Sequence, residues 1–198
     1  MGLGVPELAN LDQILQSEIN CYSNDALVDG DFRFWLTRVV QDTDREHLKV
    51  LTWIMLNPST ATAVDNDPTI KRVEKFTENL GYDVAVVVNI YPYRSPKPSD
   101  LNKFKESDEF STAMKKNARW INRAMSISDQ IIAAWGTNGG EFADKSVDAL
   151  GQGSGRIIGC LGLTLDGCPK HPLARGKHRI PDDAKLIQYV PQHKFNKE

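Results

Sequence analysis

The sequence predicts an α/β protein of three layers, in which a central four-stranded parallel sheet carries helices on both faces. Four short apolar runs are typical of strands buried on both faces, and they end at Leu56, Asn89, Trp135 and Leu161. Amphipathic helical patterns separate the runs, and such alternation favours a parallel sheet with right-handed crossovers. The loops that follow the four strands should therefore open at one edge of the sheet, where α/β proteins bind ligands.

Length and composition predict one soluble domain. The chain has 198 residues, of which 40% are hydrophobic and 25% are charged. We expect a single α/β domain over residues 1–198, with its core at about 31–190 and an amphipathic N-terminal helix at about 5–20. Since no apolar run approaches the roughly 20 residues of a membrane span and no signal peptide is recognisable, we expect a cytoplasmic protein without a membrane partner.

Charge and cysteine usage narrow the function classes. The formal net charge of -2 argues against a protein that coats nucleic acid non-specifically, although it leaves room for a local basic patch. Cys21, Cys160 and Cys168 are odd in number and lack C-x-x-C spacing, so the sequence predicts neither a disulfide framework nor a zinc site. We expect no metal and no cofactor.

The remaining elements follow from local patterns. The aromatic and β-branched run 31–40 favours an edge strand that precedes the strand at 49–56. Asp67 can cap a helix that has Pro68 at its first position, and Gly81 can end that helix. A buried strand at 83–90, a helix at about 108–126, and strands at 130–135 and 156–161 complete the pattern.

The loop after the first buried strand carries the first group of candidate site residues. The amide of Asn57 can orient a water molecule, although an asparagine before a proline also commonly holds its own turn. Asp65 and Asp67 could bind a divalent cation or act as a base; the simpler interpretations are solvation for Asp65 and capping for Asp67. Candidate substrate-binding residues in this stretch are Pro58, Ser59, Thr60 and Asp67.

The later loops supply the other candidates. Tyr91 could stack on a base, and His171 could donate a hydrogen bond to negative charge on a leaving group or could simply face solvent. Basic residues that could hold DNA phosphates are Arg94, Lys97 and Lys170. Further candidate substrate-binding residues at the ends of strands are Asn89, Trp135, Gly136 and Asn138.

The spaced motifs LNPST, DNDPTIKR, VVVNIYPYRSPKP, AAWG and GCPKHPL resemble the domain of unknown function 1643 family, which is found in bacteria and their phages. The resemblance extends from Asp31 to about Arg175. More remotely, the chain is similar to the uracil-DNA glycosylase superfamily, in which mismatch-specific and thymine glycosylases have Gly-Ile-Asn-Pro-Gly after the first core strand. The segment from Met55 to Ser59 resembles that motif and places Asn57 on the water-positioning asparagine.

The same superfamily often carries His-Pro-Ser in a late loop, and 170–173 resembles it, which implies that His171 stabilises the departing base. The loop 89–98 is similar to an Asn-x-x-x-x-Arg-Pro region of that superfamily. The sequence departs from the pattern, because no glycine precedes Leu56, Leu173 replaces the serine and the cysteines of an iron-sulfur cluster are absent.

The resemblance implies a uracil-DNA glycosylase-like fold and hydrolysis of the N-glycosidic bond of an unusual or modified base in DNA. DNA would then be the partner. Two alternatives remain open: an enzyme that acts on free nucleotides or nucleosides, and a non-catalytic module that binds nucleic acid or protein.

Overall fold

A computed structural model describes residues 23–41, 46–97, 99–140, 142–143, 145–148 and 155–191. The helix that the sequence predicts at about 5–20 lies outside these residues. Within the described residues the strands are β1 (Asp25–Asp29), β2 (Phe32–Val39), β3 (Val50–Met55), β4 (Val84–Asn89), β5 (Gln130–Ala133), β6 (Ile158–Cys160) and β7 (Ile187–Gln188). The α-helices with complete bounds are α1 (Pro68–Asn79), α2 (Asp100–Lys105) and α3 (Phe110–Ile127), and the described residues among 140–148 are also helical. None of these helices combines the length and the apolarity that crossing a bilayer requires.

The strands form one mixed sheet in the order β1-β2-β4-β3-β5-β6-β7. The pairs β4/β3, β3/β5 and β5/β6 are parallel, whereas β1, β2 and β7 pair antiparallel with their neighbours. The α/β class is confirmed, but the prediction of a four-stranded, wholly parallel sheet is wrong, because the sheet of the described residues has seven strands and is mixed. The run 31–40 is not an edge strand either, since β2 lies between β1 and β4.

The two faces of the sheet are covered by different helices, which follows from the alternation of side chains along a strand. Val86 of β4 packs in one cluster with Trp120 of α3, and Val87 packs in the other with Phe76 of α1. All six residues of β3 and all six of β4 are buried. Helix, sheet and helix therefore form three layers, and the ends of β3, β4 and β5 lie between them.

Helix α1 begins as the sequence predicts. Asp67 is its N-cap, and its Oδ1 accepts a hydrogen bond from the backbone N–H of Ile70 at 2.9 Å. Pro68 occupies the first turn, and Gly81 follows the helix with φ of 79°. The loop that starts at Asn57 ends at Asp67, so this cap holds the end of the loop in place.

Candidate functional site

A cleft of about 590 Å³ opens at the edge of the sheet where the parallel strands end. The loops after β3, β4, β5 and β6 all contribute to it, as expected for an α/β sheet. Its lining residues are Leu56, Asn57, Ser59, Thr69, Ser95, Pro96, Trp135, Gly136, Thr137, Asn138, Thr164, Leu165, Asp166, Lys170, His171, Ala174, Arg175 and His178. The structure thus brings Asn57 and His171 to one cleft, although they are distant in the sequence.

The amide of Asn57 has a defined orientation. Its Nδ2 donates to the carbonyl oxygen of Ser95 at 2.7 Å and to that of Pro58 at 3.1 Å. Because carbonyl oxygens only accept hydrogen bonds, both contacts must involve the amide nitrogen, which settles which end of the amide is which. Among the described residues no donor contacts Oδ1. This oxygen is therefore an available acceptor on a half-buried residue that lines the cleft.

Two buried arginines of β2 hold the loop that carries Asn57. Arg33 is 2% exposed and donates from Nη1 to the carbonyl oxygen of Ala61 at 3.0 Å. Arg38 donates from Nε to Oδ1 of Asn66 at 2.7 Å, at the end of the same loop. Burial lowers the pKa of Arg33 to about 10, and the nearby carboxylate of Asp67 acts in the opposite direction. Arg33 is still charged at neutral pH, and its charge helps to order the loop backbone.

His171 is held as a neutral hydrogen-bond donor. Its Nδ1 accepts a hydrogen bond from the backbone N–H of Leu173 at 3.1 Å, which requires a lone pair on Nδ1 and places the proton on Nε2. Burial lowers the pKa of the imidazole, while the carboxylate of Asp67 acts to raise it. The neutral ring can therefore donate from Nε2 near pH 7.

The loop after β5 supports the backbone around His171. The N–H of Gly136 donates to the carbonyl oxygen of Pro169 at 3.0 Å. A Cβ built on Gly136 would lie 3.3 Å from the Cβ of His171, so the two segments approach each other closely. Gly136 adopts φ of 73°, a conformation that favours glycine. The predicted substrate-binding residue Gly136 is thus a residue that shapes the cleft by having no side chain.

Trp135 is one of the residues that line the cleft, although only 2% of its surface is exposed. Its indole packs edge-on against Tyr189, with ring centroids 5.3 Å apart, and its Nε1 has no hydrogen-bond partner among the described residues. A Cβ on Gly139 would lie 2.2 Å from the Cδ1 of Trp135, so this loop must have glycine at 139 to pass over the ring. Thr137 and Asn138 are exposed and line the cleft.

Half of the predicted site residues do not line the cleft. Tyr91 is 3% exposed and its ring stacks on Phe142 with centroids 5.2 Å apart, so it is not available to stack on a base. Asn89 is 1% exposed. Asp67 caps α1, as described above. The others that lie outside the lining are Pro58, Thr60, Arg94 and Lys97. The predicted residues that do line it are Asn57, Ser59, Trp135, Gly136, Asn138, Lys170 and His171.

Sequence reasoning missed several lining residues. Leu56 follows β3, Thr69 belongs to the first turn of α1, and Ser95 and Pro96 follow β4. The remaining ones are Thr137 after β5 and, after β6, Thr164, Leu165, Asp166, Ala174, Arg175 and His178. The one available signal was position, because all but Thr69 follow the carboxyl end of a parallel strand.

Fold and cleft together define a mixed α/β protein with a polar cleft at the ends of its parallel strands. A comparison with known families matches residues 33–173 to the family described as protein of unknown function DUF1643. The chain belongs to this family, as its motifs predict. Comparisons with curated proteins and with solved structures give no match.

Proposed function

We propose that the protein hydrolyses the N-glycosidic bond of an unusual or modified base in DNA. One observation supports this function above all. An oriented acceptor, Oδ1 of Asn57, and a neutral donor, Nε2–H of His171, belong to the same cleft. Hydrolytic release of a base needs both, because a water molecule must be directed at the sugar and negative charge develops on the base as it leaves.

In the proposed reaction, Oδ1 of Asn57 accepts a hydrogen bond from the attacking water and orients its lone pair towards C1′ of the sugar. A bond forms between the water oxygen and C1′, the bond between C1′ and the base nitrogen breaks, and its electron pair leaves with the base. The N–H of His171 stabilises that developing anion. The water proton then passes to the released base or to solvent, because the amide of Asn57 is too weak a base to keep it.

The dimensions and lining of the cleft agree with this proposal. About 590 Å³ lies within the usual range for small-molecule sites and would accommodate a base extruded from the stack. Ser59, Thr137 and Asn138 offer donors and acceptors for the edge of a base. Because Tyr91 is 3% exposed and Trp135 only 2% exposed, recognition would rest on these polar groups rather than on stacking against an aromatic ring.

An enzyme that acts on free nucleotides or nucleosides is a second candidate. The same cleft is large enough for a whole nucleoside, and the net charge of -2 suits a small ligand better than it suits DNA. Release of a base from an oligonucleotide, compared with release from the free nucleotide, separates the two functions. A module that only binds would release nothing from either.

The first experiment is a mass-spectrometric screen for bases released from normal and phage-modified DNA. Variants of the protein are then assayed on the substrate that reacts.

Asn57→Ala and His171→Ala should each slow base release by on the order of a hundredfold, with little effect on binding. The double variant should fall short of the product, since the two groups act on one transition state. Asn122→Ala and His47→Ala, exposed residues outside the cleft, are the matched controls. Full activity in both single variants would rule out the mechanism.

A further inference from the structure

Charge is distributed unevenly along the cleft. Within the part of the chain that the structure describes, the loops after β3, β4 and β5 and the start of α1 contribute only neutral residues to the lining. The charged residues of the described lining, and its two histidines, come from the chain after β6. The parallel strands lie in the order β4-β3-β5-β6, so β6 is the last of them on one side. The charged lining residues follow β6 in the chain and therefore lie on that side of the cleft. A ligand that fits this pattern has a neutral part and a charged part.

Basic side chains dominate the charged part. Lys170, Arg175 and His178 fall within nine residues of each other in the segment 170–178, which we call the basic segment. Among the described residues that line the cleft, the one carboxylate is that of Asp166, and it makes no ion pair with Lys170 or Arg175. An anion entering the cleft would therefore meet two permanent cations and an imidazole.

The cationic groups of the basic segment are not used elsewhere in the described part of the chain. Neither Lys170 nor Arg175 has a side-chain hydrogen bond or ion pair there. By contrast, Arg72 and Lys75 both pair with Asp182, and Lys116 pairs with Asp29 at 2.8 Å. In a protein of net charge -2, two unpaired cations in the lining of one cleft are better suited to ligand binding than to stability.

Consecutive turns fix the backbone of the basic segment. The N–H of Ala174 donates to the carbonyl oxygen of His171 at 2.9 Å, and that of His178 donates to the carbonyl oxygen of Arg175 at 3.2 Å. The N–H of Lys170 donates to the carbonyl oxygen of Gly162 at 2.9 Å, which ties the start of the segment to the end of β6. The basic groups therefore stand on a backbone that is already ordered, which lowers the entropic cost of binding.

We propose that Lys170, Arg175 and His178 form a subsite for a phosphate ester of the substrate. Guanidinium, ammonium and imidazole N–H groups are the donors that phosphate oxygens prefer. The sugar and base would then extend towards the neutral loops and reach Asn57, with His171 between the two parts. The proposal rests on the proposed function for the nucleotide nature of the ligand, and the phosphate could belong either to a DNA strand or to a free nucleotide.

Binding measurements test this subsite without any need for catalysis. Isothermal titration calorimetry with thymidine, thymidine 5′-monophosphate and a short DNA duplex reports how much the phosphate adds to affinity. Arg175→Ala and His178→Ala should each weaken binding of a phosphorylated probe by about tenfold, the scale of losing one charge-assisted hydrogen bond. Neither variant should change the binding of thymidine. For DNA, loss of Arg175 should also reduce the slope of log K against log salt by about one.

The chain provides matched controls beside these residues. Lys177 and Arg179 are exposed basic residues of the same turns, and neither lines the cleft. Lys177→Ala and Arg179→Ala should change affinity by less than about twofold, because exposed charges that do not line the cleft make no direct contact with the ligand. Thermal unfolding of each variant verifies that the exposed substitutions leave the fold intact.

The binding results identify the source of the phosphate or overturn the proposed subsite. Dependence on Arg175 for the mononucleotide identifies a free nucleotide as the source of the phosphate, and dependence for the duplex alone identifies DNA. Equal losses in the Lys177 and Arg179 variants, or no gain in affinity from a phosphate in the wild type, would overturn the subsite. If the subsite is confirmed but no base is released from any DNA, the glycosylase proposal fails while the subsite stands.

Discussion

Replacing Gly136 with alanine should disturb His171 in a way that an equivalent substitution nearby does not. Gly136 has φ of 73° and ψ of -167°, and Gly140 has φ of 54° and ψ of -161°, so the two share one backbone conformation in one loop. Gly136 alone lies against His171, since a Cβ at Gly140 would have nothing within 4 Å. Gly140→Ala is therefore a control that carries the same backbone strain without the contact.

The expected magnitudes follow from these geometries. The shared conformation is almost exclusive to glycine, so each substitution should cost about 1 to 3 kcal/mol of the free energy of unfolding. At Gly136 the new methyl group would lie 3.3 Å from the Cβ of His171, which is closer than ordinary carbon contacts. The side chain of His171 must then move away from residue 136 by a few tenths of an ångström. Since a displacement of about 1 Å can cost a hundredfold in rate, we expect base release to slow by about tenfold.

Two measurements separate strain from displacement. Urea unfolding should show similar destabilisation in the two variants. Nitrogen-15 NMR of the imidazole should show a changed His171 signal in Gly136→Ala alone, because the hydrogen bond from Leu173 to Nδ1 depends on where the ring lies. An unchanged His171 signal in Gly136→Ala, or an equal change in Gly140→Ala, would refute the reasoning.

Three further predictions concern stability and cofactors. Because burial lowers the pKa of His171 from 6.5, the unfolded chain takes up the proton first, so the free energy of unfolding should fall as the pH drops below that value. His171→Asn should remove this part of the dependence in urea unfolding at neutral and mildly acidic pH; an unaltered dependence would contradict the assignment. Thr77→Val leaves the indole N–H of Trp53, now bonded to Oγ1 at 3.0 Å, without a partner and should cost about 1 to 3 kcal/mol by urea unfolding. Thr77→Ser retains the hydroxyl and should cost less. Chelators should leave base release intact, and restoration of a lost activity by magnesium or manganese would instead indicate chemistry at Asp67 and its neighbour Asp65.

The sequence predicts the middle of the sheet well because burial on both faces leaves a strong pattern. The run from Val84 to Val88 is continuously apolar and has no interpretation as an amphipathic helix. Strand β1 leaves no such pattern: its half-exposed residues begin and end with aspartate, and the adjacent Gly30 is typical of a turn. Strand β7 has two residues, which is too few for any periodicity.

The sequence predicts which loops meet at the candidate site, because the ends of the strands determine where those loops lie. It does not predict how the side chains of the loops are oriented. Asn57 and His171 follow buried strands, and their shared edge could be inferred from topology. The orientation of a loop side chain depends on distant partners, as when Ser95 fixes the amide of Asn57 or Phe142 covers Tyr91. Arg175 and His178 were missed because the chain after β6 has no periodicity that would show where it returns to the sheet.

Strand β3 lies between β4 and β5, and both of these neighbours follow it in the chain. During synthesis on the ribosome, β3 and Asn57 are therefore produced before the two strands that pair with β3. The cleft comes into existence only after the segment with His171 has been made, so a shortened translation product would contain Asn57 but no cleft. Such a product would also present an unpaired apolar strand, which is prone to aggregation. Chaperone dependence of the nascent chain should consequently be greatest before β5 emerges.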